Sequence, residues 1–352
     1  MAMSHANENQ RANGSPAAPR PRVGPEIREL EERIVDASRW VAPLKRQIGT
    51  VIVGQHALVD RLIVGLLTGG HILLEGVPGL AKTLALKTLA GSIDGACFGR
   101  IQFTPDMLPS DIVGTTIYRA QTGTFEPKCG PVFANFVLAD EINRAPAKVQ
   151  SALLEAMQEK HVTLGDETFA LPDPFLVLAT QNPLEQEGTY PLPEAQLDRF
   201  LMKVRVRYPD AFEERVILDS MAVTEPRTSV SPVVSIATIG STRRVVDTVY
   251  VDDSVRDYIV RIVLATREPG RLKIPIEGLL RAGASPRGTI GLTLAARAMA
   301  FLQGRGYVTP EDVKGVAPDV LRHRLALSFE AEAGGVDGDE IVRRVLQAVA
   351  AP

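Results

Sequence analysis

Cysteine is scarce in this sequence, and long apolar runs are missing. Only two cysteines occur among 352 residues, Cys97 and Cys129, far apart and without CxxC spacing. This usage argues against a disulfide framework and a structural zinc site, and it is typical of a reducing compartment. No apolar run approaches the roughly 18 residues that span a bilayer, and the first residues lack the apolar core of a secretory signal. These absences predict a cytoplasmic protein without a membrane span.

Neither sign of charge is in large excess. The formal net charge is −3, which provides no general attraction to nucleic acid or anionic lipid, so a nucleic-acid partner is not expected. Hydrophobic residues make up 45% of the chain, which is ample for packed cores, and the length allows two domains. Residues 1–25 differ, because they are polar and rich in proline, alanine and glycine. They predict a disordered N-terminal arm.

One stretch predicts a phosphate-binding loop. It follows the apolar run 72–74, precedes a helix-patterned segment, and consists of Gly76, Val77, Pro78, Gly79, Leu80, Ala81, Lys82 and Thr83. A glycine-bearing turn between a buried strand and a helix directs backbone N–H groups and the positive end of the helix dipole into one concavity, which suits a phosphate. Lys82 can reach the outer phosphates, and the Thr83 hydroxyl is placed to bind the accompanying magnesium. Ala81 departs from the general pattern, which has glycine before the lysine. The alternative interpretation is a plain strand–turn–helix corner.

Beyond this loop, strand-like runs alternate with helix-like ones. The apolar runs are residues 101–104, 135–139, 175–180 and 202–206, and the alternation in the last one indicates an edge strand. Mostly apolar strands separated by helices predict an α/β fold with a parallel sheet covered on both faces. Two segments, 115–126 and 161–169, interrupt this order and predict hairpins that project from the core.

Polar side chains follow two of the predicted strands. Asp140 and Glu141 come directly after one, and Asn182 follows the next. Ligands of open parallel sheets bind at the carboxyl ends of the strands, so we expect these side chains beside the phosphate loop. Asp140 can hold magnesium through water, Glu141 can polarise a water for attack on the terminal phosphate, and Asn182 can orient that water or contact the phosphate. Alternatively, the acidic pair starts a helix and the asparagine opens a turn.

Four further residues are candidates with weaker local signals. Val53 and Gly54, ahead of the phosphate loop, can pack on an adenine ring or simply connect two helices. Arg199 lies just before the last core strand. Arg287 lies in the first turn of a helix with Ser285 as its cap, where an arginine is unfavourable for the helix dipole and so indicates another role. Either arginine could also be a solvated charge.

The last third of the chain predicts a helical lid. A stripe at residues 255, 258, 259, 262 and 263 follows capping candidates Asp252 and Asp253, and Thr309 with Pro310 resembles a capped helix start. We expect these stripes to pack the lid upon itself. The predicted domains are the arm at residues 1–25, an α/β core at 26–222 and the all-α lid at 223–352.

In their order, the phosphate loop, the acidic pair, the asparagine and the two arginines resemble the parts of a AAA+ ATPase. More narrowly, the chain resembles the MoxR family over about residues 30–345, and the segments that carry the likeness are 74–83, 140–145, 179–183 and 194–200. Ala81 is also common in that family. The resemblance implies Lys82 and Thr83 as Walker A, Asp140 and Glu141 as Walker B, Asn182 as sensor one, Arg199 as arginine finger and Arg287 as sensor two. The hairpins correspond to the helix-two and pre-sensor-one inserts, and Arg144 is assigned to a subunit boundary.

This resemblance implies an ATPase that uses ATP and Mg²⁺, with a lid that lets Arg287 touch nucleotide bound to the core. An arginine finger acting on a neighbour implies a ring, which we expect to be a hexamer. The family also implies a partner with a von Willebrand factor A domain. The leading hypothesis is a chaperone-like motor that assembles, activates or inserts a metal cofactor into client proteins. The alternatives are a nucleotide-gated scaffold with little turnover and a DNA-remodelling or chelatase-type AAA+ motor. No residue names the client.

Overall fold

The computed structural model describes residues 25–182, 188–226, 228–272 and 274–352. The predicted arm therefore lies outside the described residues, apart from its last residue. The strands are β1 (Ile72–Glu75), β2 (Ile93–Asp94), β3 (Phe98–Gln102), β4 (Gly114–Arg119), β5 (Thr124–Cys129), β6 (Phe136–Asp140), β7 (His161–Leu164), β8 (Glu167–Ala170), β9 (Leu176–Gln181), β10 (Met202–Arg205), β11 (Val234–Ser235), β12 (Leu280–Ala282) and β13 (Ala326–Leu327).

The helices surround and follow these strands. They are α1 (Pro25–Ala37), α2 (Val41–Gly49), α3 (His56–Thr68), α4 (Lys82–Gly91), α5 (Pro109–Val113), α6 (Ala147–Glu159), α7 (Glu194–Leu197), α8 (Ala211–Met221), α9 (Ile236–Asp247), α10 (Asp253–Arg267), α11 (Pro286–Leu302), α12 (Pro310–Leu321), α13 (Phe329–Ala333) and α14 (Gly338–Ala348). None of the helices in the described ranges combines the length and apolar character needed to cross a membrane.

Five strands form the central sheet in the order β10-β1-β9-β6-β3, and all of its pairings are parallel. The side chains of β1, β6 and β9 are buried on both faces, as expected where helices cover a parallel sheet. The α/β prediction is confirmed, including the edge position of β10. All five carboxyl ends meet at one edge of the sheet, which is where the phosphate loop begins.

Two antiparallel hairpins stand apart from this sheet. They are β4 with β5 and β7 with β8, at the two segments that interrupt the strand–helix alternation in the sequence. Gly123 and Gly165 have φ of 69° and 63°, so glycine supplies the left-handed backbone that each turn needs. Most side chains of β4 and β5 are exposed. The prediction of two hairpins is confirmed, and the first of them projects; in the second, Val162 and Leu164 of β7 are buried in the core.

The C-terminal helices begin where their caps predict. The Asp252 side chain accepts from the Ser254 N–H at α10, the Ser285 hydroxyl from the Arg287 N–H at α11, and the Thr309 hydroxyl from the Asp312 N–H at α12. Helix α10 buries the predicted apolar stripe. Capping side chains satisfy backbone donors that have no partner inside the helix, which fixes each start.

These helices do not pack only upon themselves, which corrects the expectation for the lid. Trp40 donates its indole N–H to the Thr242 hydroxyl of α9 at 3.1 Å, and Arg243 of α9 donates to the Leu66 carbonyl of α3 at 2.8 Å. One apolar cluster joins α3, α4 and the sheet to α9, α10, α11 and α12. The physical reason is that α3 is apolar almost all round, with eight buried residues, so it needs cover from both sides. The domain boundary at residues 222 and 223 stays a prediction.

Candidate active site

The phosphate loop connects β1 to α4. Lys82 is the first residue of α4, and Ala81 before it has φ of 53°. This left-handed conformation costs a non-glycine residue about 1 kcal/mol, so Ala81 stands where glycine is preferred. The Lys82 ammonium donates to the Gly76 carbonyl at 2.6 Å. Burial lowers the pKa of Lys82, and the nearby Asp140 and Glu141 carboxylates partly offset this.

A cavity of about 320 Å³ lies against this loop. Its described lining consists of Pro78, Gly79, Ala81, Lys82, Thr83, Leu84, Asp140, Glu141, Thr180 and Asn182. Five residues singled out in the sequence for phosphate, magnesium and water chemistry therefore share one cavity, although up to 100 positions separate them in the chain. They meet because β1, β9 and β6 are neighbours in a parallel sheet, so their carboxyl ends point to the same edge.

The Asp140 carboxylate is held by two neighbouring strands. Its Oδ1 accepts from the Thr180 hydroxyl of β9 at 2.6 Å, and its Oδ2 lies 2.8 Å from the Arg100 guanidinium of β3. Sequence reasoning missed both partners. The register of β3, β6 and β9 sets their position. Arg100 belongs to no recognisable motif, and Thr180 lies in the segment 179–183, in which only Asn182 received a role.

The Glu141 carboxylate is positioned in a similar way. Its backbone has φ of 59°, and its Oε2 accepts from the Gln102 amide at 2.9 Å and lies 3.2 Å from the Arg144 guanidinium. Gln102 was also missed by sequence reasoning; its signal is the β3–β6 register, which pairs it with Asp140. Arg144, assigned from the resemblance to a subunit boundary, contacts Glu141 of its own chain.

The donor set of this cavity fits a magnesium–nucleotide complex. The Thr83 hydroxyl makes no hydrogen bond to any described residue, so its oxygen is available, and Asp140 supplies a carboxylate beside it. Hydroxyl and carboxylate oxygens are the hard ligands that Mg²⁺ takes up. The N-terminus of α4 and the Lys82 ammonium supply the positive potential that phosphates need.

A second cavity, of about 490 Å³, lies on the other side of the loop. Its described lining is mostly apolar and consists of Val51, Ile52, Val53, Gln55, Pro78, Gly79, Leu80, Ala81, Leu84, Tyr208, Pro209, Glu214, Ile217 and Met221. Apolar walls beside a phosphate site suit a planar base. Val53 lies where the sequence predicted it, whereas the contribution of α8 was missed.

Three predicted nucleotide-binding residues lie outside these two cavities. Gly76 and Val77 line a different cleft, between the phosphate loop and α12. Gly54 has φ of 63°, and a Cβ built there would lie 2.2 Å from Glu213 Oε1. Gly54 therefore permits the close approach of α8, whose Glu214, Ile217 and Met221 line the apolar cavity.

The two predicted arginines lie together but away from the Lys82 cavity. Arg199 and Arg287 line a third cavity, of about 260 Å³, and in the described part of the chain it shares no lining residue with the Lys82 cavity. Arg199 precedes β10, so it lies at the amino edge of the parallel strands, opposite the phosphate loop. This placement corrects the expectation that the lid brings Arg287 to nucleotide on its own core. The reason is the docking of α11, whose cap Ser285 donates to the Asp198 carboxylate at 2.9 Å.

A parallel sheet with a phosphate loop, an acidic pair at the end of another strand of the same sheet and a helical lid define a AAA+ ATPase. Comparisons agree, since the family described as "ATPase family associated with various cellular activities (AAA)" matches residues 71–202 and the AAA lid domain matches residues 276–345. More narrowly, the chain belongs to the MoxR family of these ATPases.

The relatives cover nearly the whole chain. Chaperone MoxR1 of Mycobacterium tuberculosis is 50% identical over 341 residues, which is 97% of this chain and 88% of that protein. The uncharacterised protein YeaC of Bacillus subtilis is 48% identical, over 87% of this chain and 92% of its own. Protein MoxR of Methylorubrum extorquens is 32% identical, over 93% and 99%. A crystal structure of a candidate ATPase from Cytophaga hutchinsonii has 49% identity and a TM-score of 0.87, and the match covers 94% of this chain and all of that one.

Proposed function

We propose that this protein binds ATP with Mg²⁺ and hydrolyses it between the subunits of a head-to-tail ring, and that it uses this cycle as a chaperone-like motor. One observation carries the proposal. The Lys82 cavity and the cavity of Arg199 and Arg287 lie at opposite edges of the same sheet, so each chain holds two complementary parts of one site. They combine only when the edge of one subunit meets the opposite edge of the next.

The Lys82 cavity supplies the binding part. Lys82 leaves the Gly76 carbonyl to bind the outer phosphates, Thr83 and Asp140 hold the metal, and Asn182 orients the attacking water. Glu141 accepts the proton of that water as it attacks the terminal phosphate. Bound Mg²⁺ supplies charge neutralisation for the phosphates in this chemistry. The apolar cavity beside Val53 receives the adenine.

Arg199 and Arg287 supply the stabilising part in the neighbouring subunit. The Arg199 guanidinium makes no hydrogen bond or ion pair with any described residue, and Arg287 lies 3.9 Å from Asp198 and is half exposed. Both are therefore available to a second chain. An arginine finger is worth roughly 10³ to 10⁵ in rate, or about 4 to 7 kcal/mol of barrier. An isolated subunit lacks this contribution and turns over slowly.

A head-to-tail contact closes into a ring when its rotation allows, and we propose a hexamer. Chaperone MoxR1, at 50% identity, supports a chaperone-like role that assembles or activates client proteins, including insertion of a metal cofactor. The resemblance supports a von Willebrand factor A domain partner, and the scarcity of cysteine supports the cytoplasmic location that we propose. A likeness to the magnesium-chelatase subunit ChlI of Nicotiana tabacum covers 53% of this chain at 30% identity and supports a shared ATPase core.

Steady-state hydrolysis of Mg²⁺–ATP across a dilution series, with mass measured by light scattering, tests this function. We expect the specific activity to rise with assembly. Glu141→Gln should bind ATP without turnover, and Arg199→Ala should assemble but lose roughly 10³-fold in rate. Arg256→Ala, at an exposed pair on α10, is the matched control and should behave as wild type. Equal activity in a proven monomer, or full activity of Arg199→Ala, would refute the shared site.

A further inference from the structure

The segment that carries Arg199 is held by a buried arginine from the C-terminal region. Arg324 ends the 3₁₀ turn Arg322–Arg324, and its side chain is 3% exposed. Its Nε donates to Asp198 Oδ1 at 2.9 Å, its Nη1 to the Leu201 carbonyl at 3.1 Å, and its Nη2 to the Phe200 carbonyl at 2.7 Å. One guanidinium thus binds the residues on both sides of Arg199.

The same contacts connect Arg199 to Arg287. The second Asp198 oxygen, Oδ2, accepts from the Ser285 hydroxyl at 2.9 Å and lies 3.9 Å from the Arg287 guanidinium. Ser285 also caps α11, the helix on which Arg287 lies. Asp198 therefore connects the loop with Arg199 to the helix with Arg287, and its carboxylate is held in turn by the buried Arg324 guanidinium.

The chemistry of this cluster requires an arginine. Five donors in a planar fork let one side chain reach a carboxylate and several carbonyls at once, which a lysine ammonium cannot do. Burial lowers the pKa of Arg324 to about 10, with Asp198 acting in the opposite sense, so the group keeps its charge at neutral pH. A buried charge persists only where it is paired and hydrogen-bonded, as it is here.

We infer that Arg324 is a positioning residue that fixes the Arg199 loop onto the lid, so that Arg199 and Arg287 reach the neighbouring subunit's nucleotide as one unit. The inference rests on the proposed intersubunit site. It assigns Arg324 no contact with nucleotide, since it acts through the backbone on either side of Arg199. A displacement of about 1 Å can cost up to 10²-fold in rate, so loss of this anchor should be visible in turnover.

The test is Arg324→Lys, measured alone and mixed with Glu141→Gln. The lysine variant alone should assemble, bind Mg²⁺–ATP and lose at least about tenfold in turnover. Glu141→Gln subunits keep a correctly held Arg199 and lack only their own turnover. A mixed ring therefore pairs an intact nucleotide cavity with an intact arginine loop, and its activity should rise several-fold above either variant alone.

Two controls separate this role from a general structural one. Arg305→Lys changes a mostly buried arginine that bonds Asp312 and the Tyr307 carbonyl beyond the C-terminal end of α11, and it should keep wild-type turnover. Arg199→Ala mixed with Glu141→Gln should recover activity as the Arg324 variant does. Turnover of Arg324→Lys within twofold of Arg305→Lys would overturn the inference. The inference would also be overturned if mixing with Glu141→Gln restored the turnover of Arg199→Ala but not that of Arg324→Lys.

A second variant protects the test against a folding failure of the first. Ser285→Ala leaves Arg324 in place and removes the hydrogen bond between α11 and Asp198. It should show a smaller loss of turnover per Ser285→Ala subunit, which an excess of Glu141→Gln subunits restores, and a loss that this excess leaves unrestored would count against the inference. If wild type has no turnover, or Arg199→Ala is not restored by mixing, the proposed function fails first, and the role of Arg324 fails with it.

Discussion

Replacing Glu75 by glutamine should destabilise the protein more than the loss of a carboxylate from an exposed ion pair would. Glu75 ends β1, next to the phosphate loop, and its carboxylate lies 2.7 Å from the Lys203 ammonium and 3.1 Å from the Arg205 guanidinium on β10. The side chains of Glu75 and Lys203 are each only 17% exposed. Arg205 in turn contacts two aspartates at the start of α14 at 2.6 Å. Glu75 therefore links the phosphate loop to the C-terminal helices.

The magnitude follows from what the substitution leaves behind. In the described residues the Lys203 ammonium has Glu75 as its only ion-pair partner, so Glu75→Gln leaves a mostly buried cation unpaired. Breaking a fully buried pair costs about 3 to 5 kcal/mol, whereas an exposed pair is worth about 0 to 1 kcal/mol. At 17% exposure, we expect a loss of about 2 to 3 kcal/mol in the free energy of unfolding.

Urea unfolding at neutral pH measures this loss without adding charge. The matched control is Glu126→Gln, because Glu126 pairs with Arg119 on the exposed hairpin; it should change stability by less than about 1 kcal/mol. The double variant Glu75→Gln with Lys203→Met should recover at least half of the loss, since no cation is left unpaired. Equal effects of Glu75→Gln and Glu126→Gln would refute the reasoning.

The dependence of stability on acidic pH gives a second check on the same carboxylate. Lys203 and Arg205 hold the pKa of Glu75 below its usual 4.5, against the opposing effect of burial, which is the largest single influence. The unfolded chain binds the proton first as the pH falls, so the stabilisation is complete above about 4.5 and is lost as the pH falls through the lowered pKa. Wild type and Glu75→Gln should therefore converge in acid, and a constant difference would contradict this assignment.

Two further predictions concern the fold. His71 is buried, and burial lowers its pKa from 6.5 to about 4. The free energy of unfolding should therefore keep its full value above pH 6.5 and fall by up to about 3 kcal/mol as the pH drops toward 4. Urea unfolding of His71→Gln should show a flatter pH profile than wild type, and parallel profiles would exclude this histidine as the cause. Gly99→Ala places a Cβ 2.5 Å from the Pro131 carbonyl oxygen and should cost about 1 to 3 kcal/mol, whereas Gly240→Ala, with no atom within 4 Å in α9, should gain about 0.5 to 1 kcal/mol; thermal melts that shift both variants in the same direction would contradict this.

Much of the candidate site was readable from local patterns. The phosphate loop, Asp140, Glu141 and Asn182 each follow an apolar run, and a parallel sheet brings the carboxyl ends of its strands to one edge. Their meeting at one edge therefore follows from the strand type, whereas the shared cavity also requires β9 to lie between β1 and β6, which the sequence order does not give. The hairpin turns and the helix caps at Ser285 and Thr309 were predictable for the same reason, because their hydrogen bonds join residues only a few positions apart.

Other features depended on which surfaces meet. Thr180 and Gln102 hold the catalytic candidates through strand register, and no spacing in the sequence distinguishes them from other polar strand residues. The position of Arg287 depended on where α11 docks, so its distance from the chain's own phosphate loop was not predictable from its helix position. Arg324 bonds Asp198 across 126 positions. Periodicity and spacing report local backbone geometry, whereas contacts of this range are decided by packing of the whole chain. The sequence alone therefore determined the chemistry of the candidate residues, and the tertiary structure decided that Lys82 and the two arginines line cavities at opposite edges of the sheet.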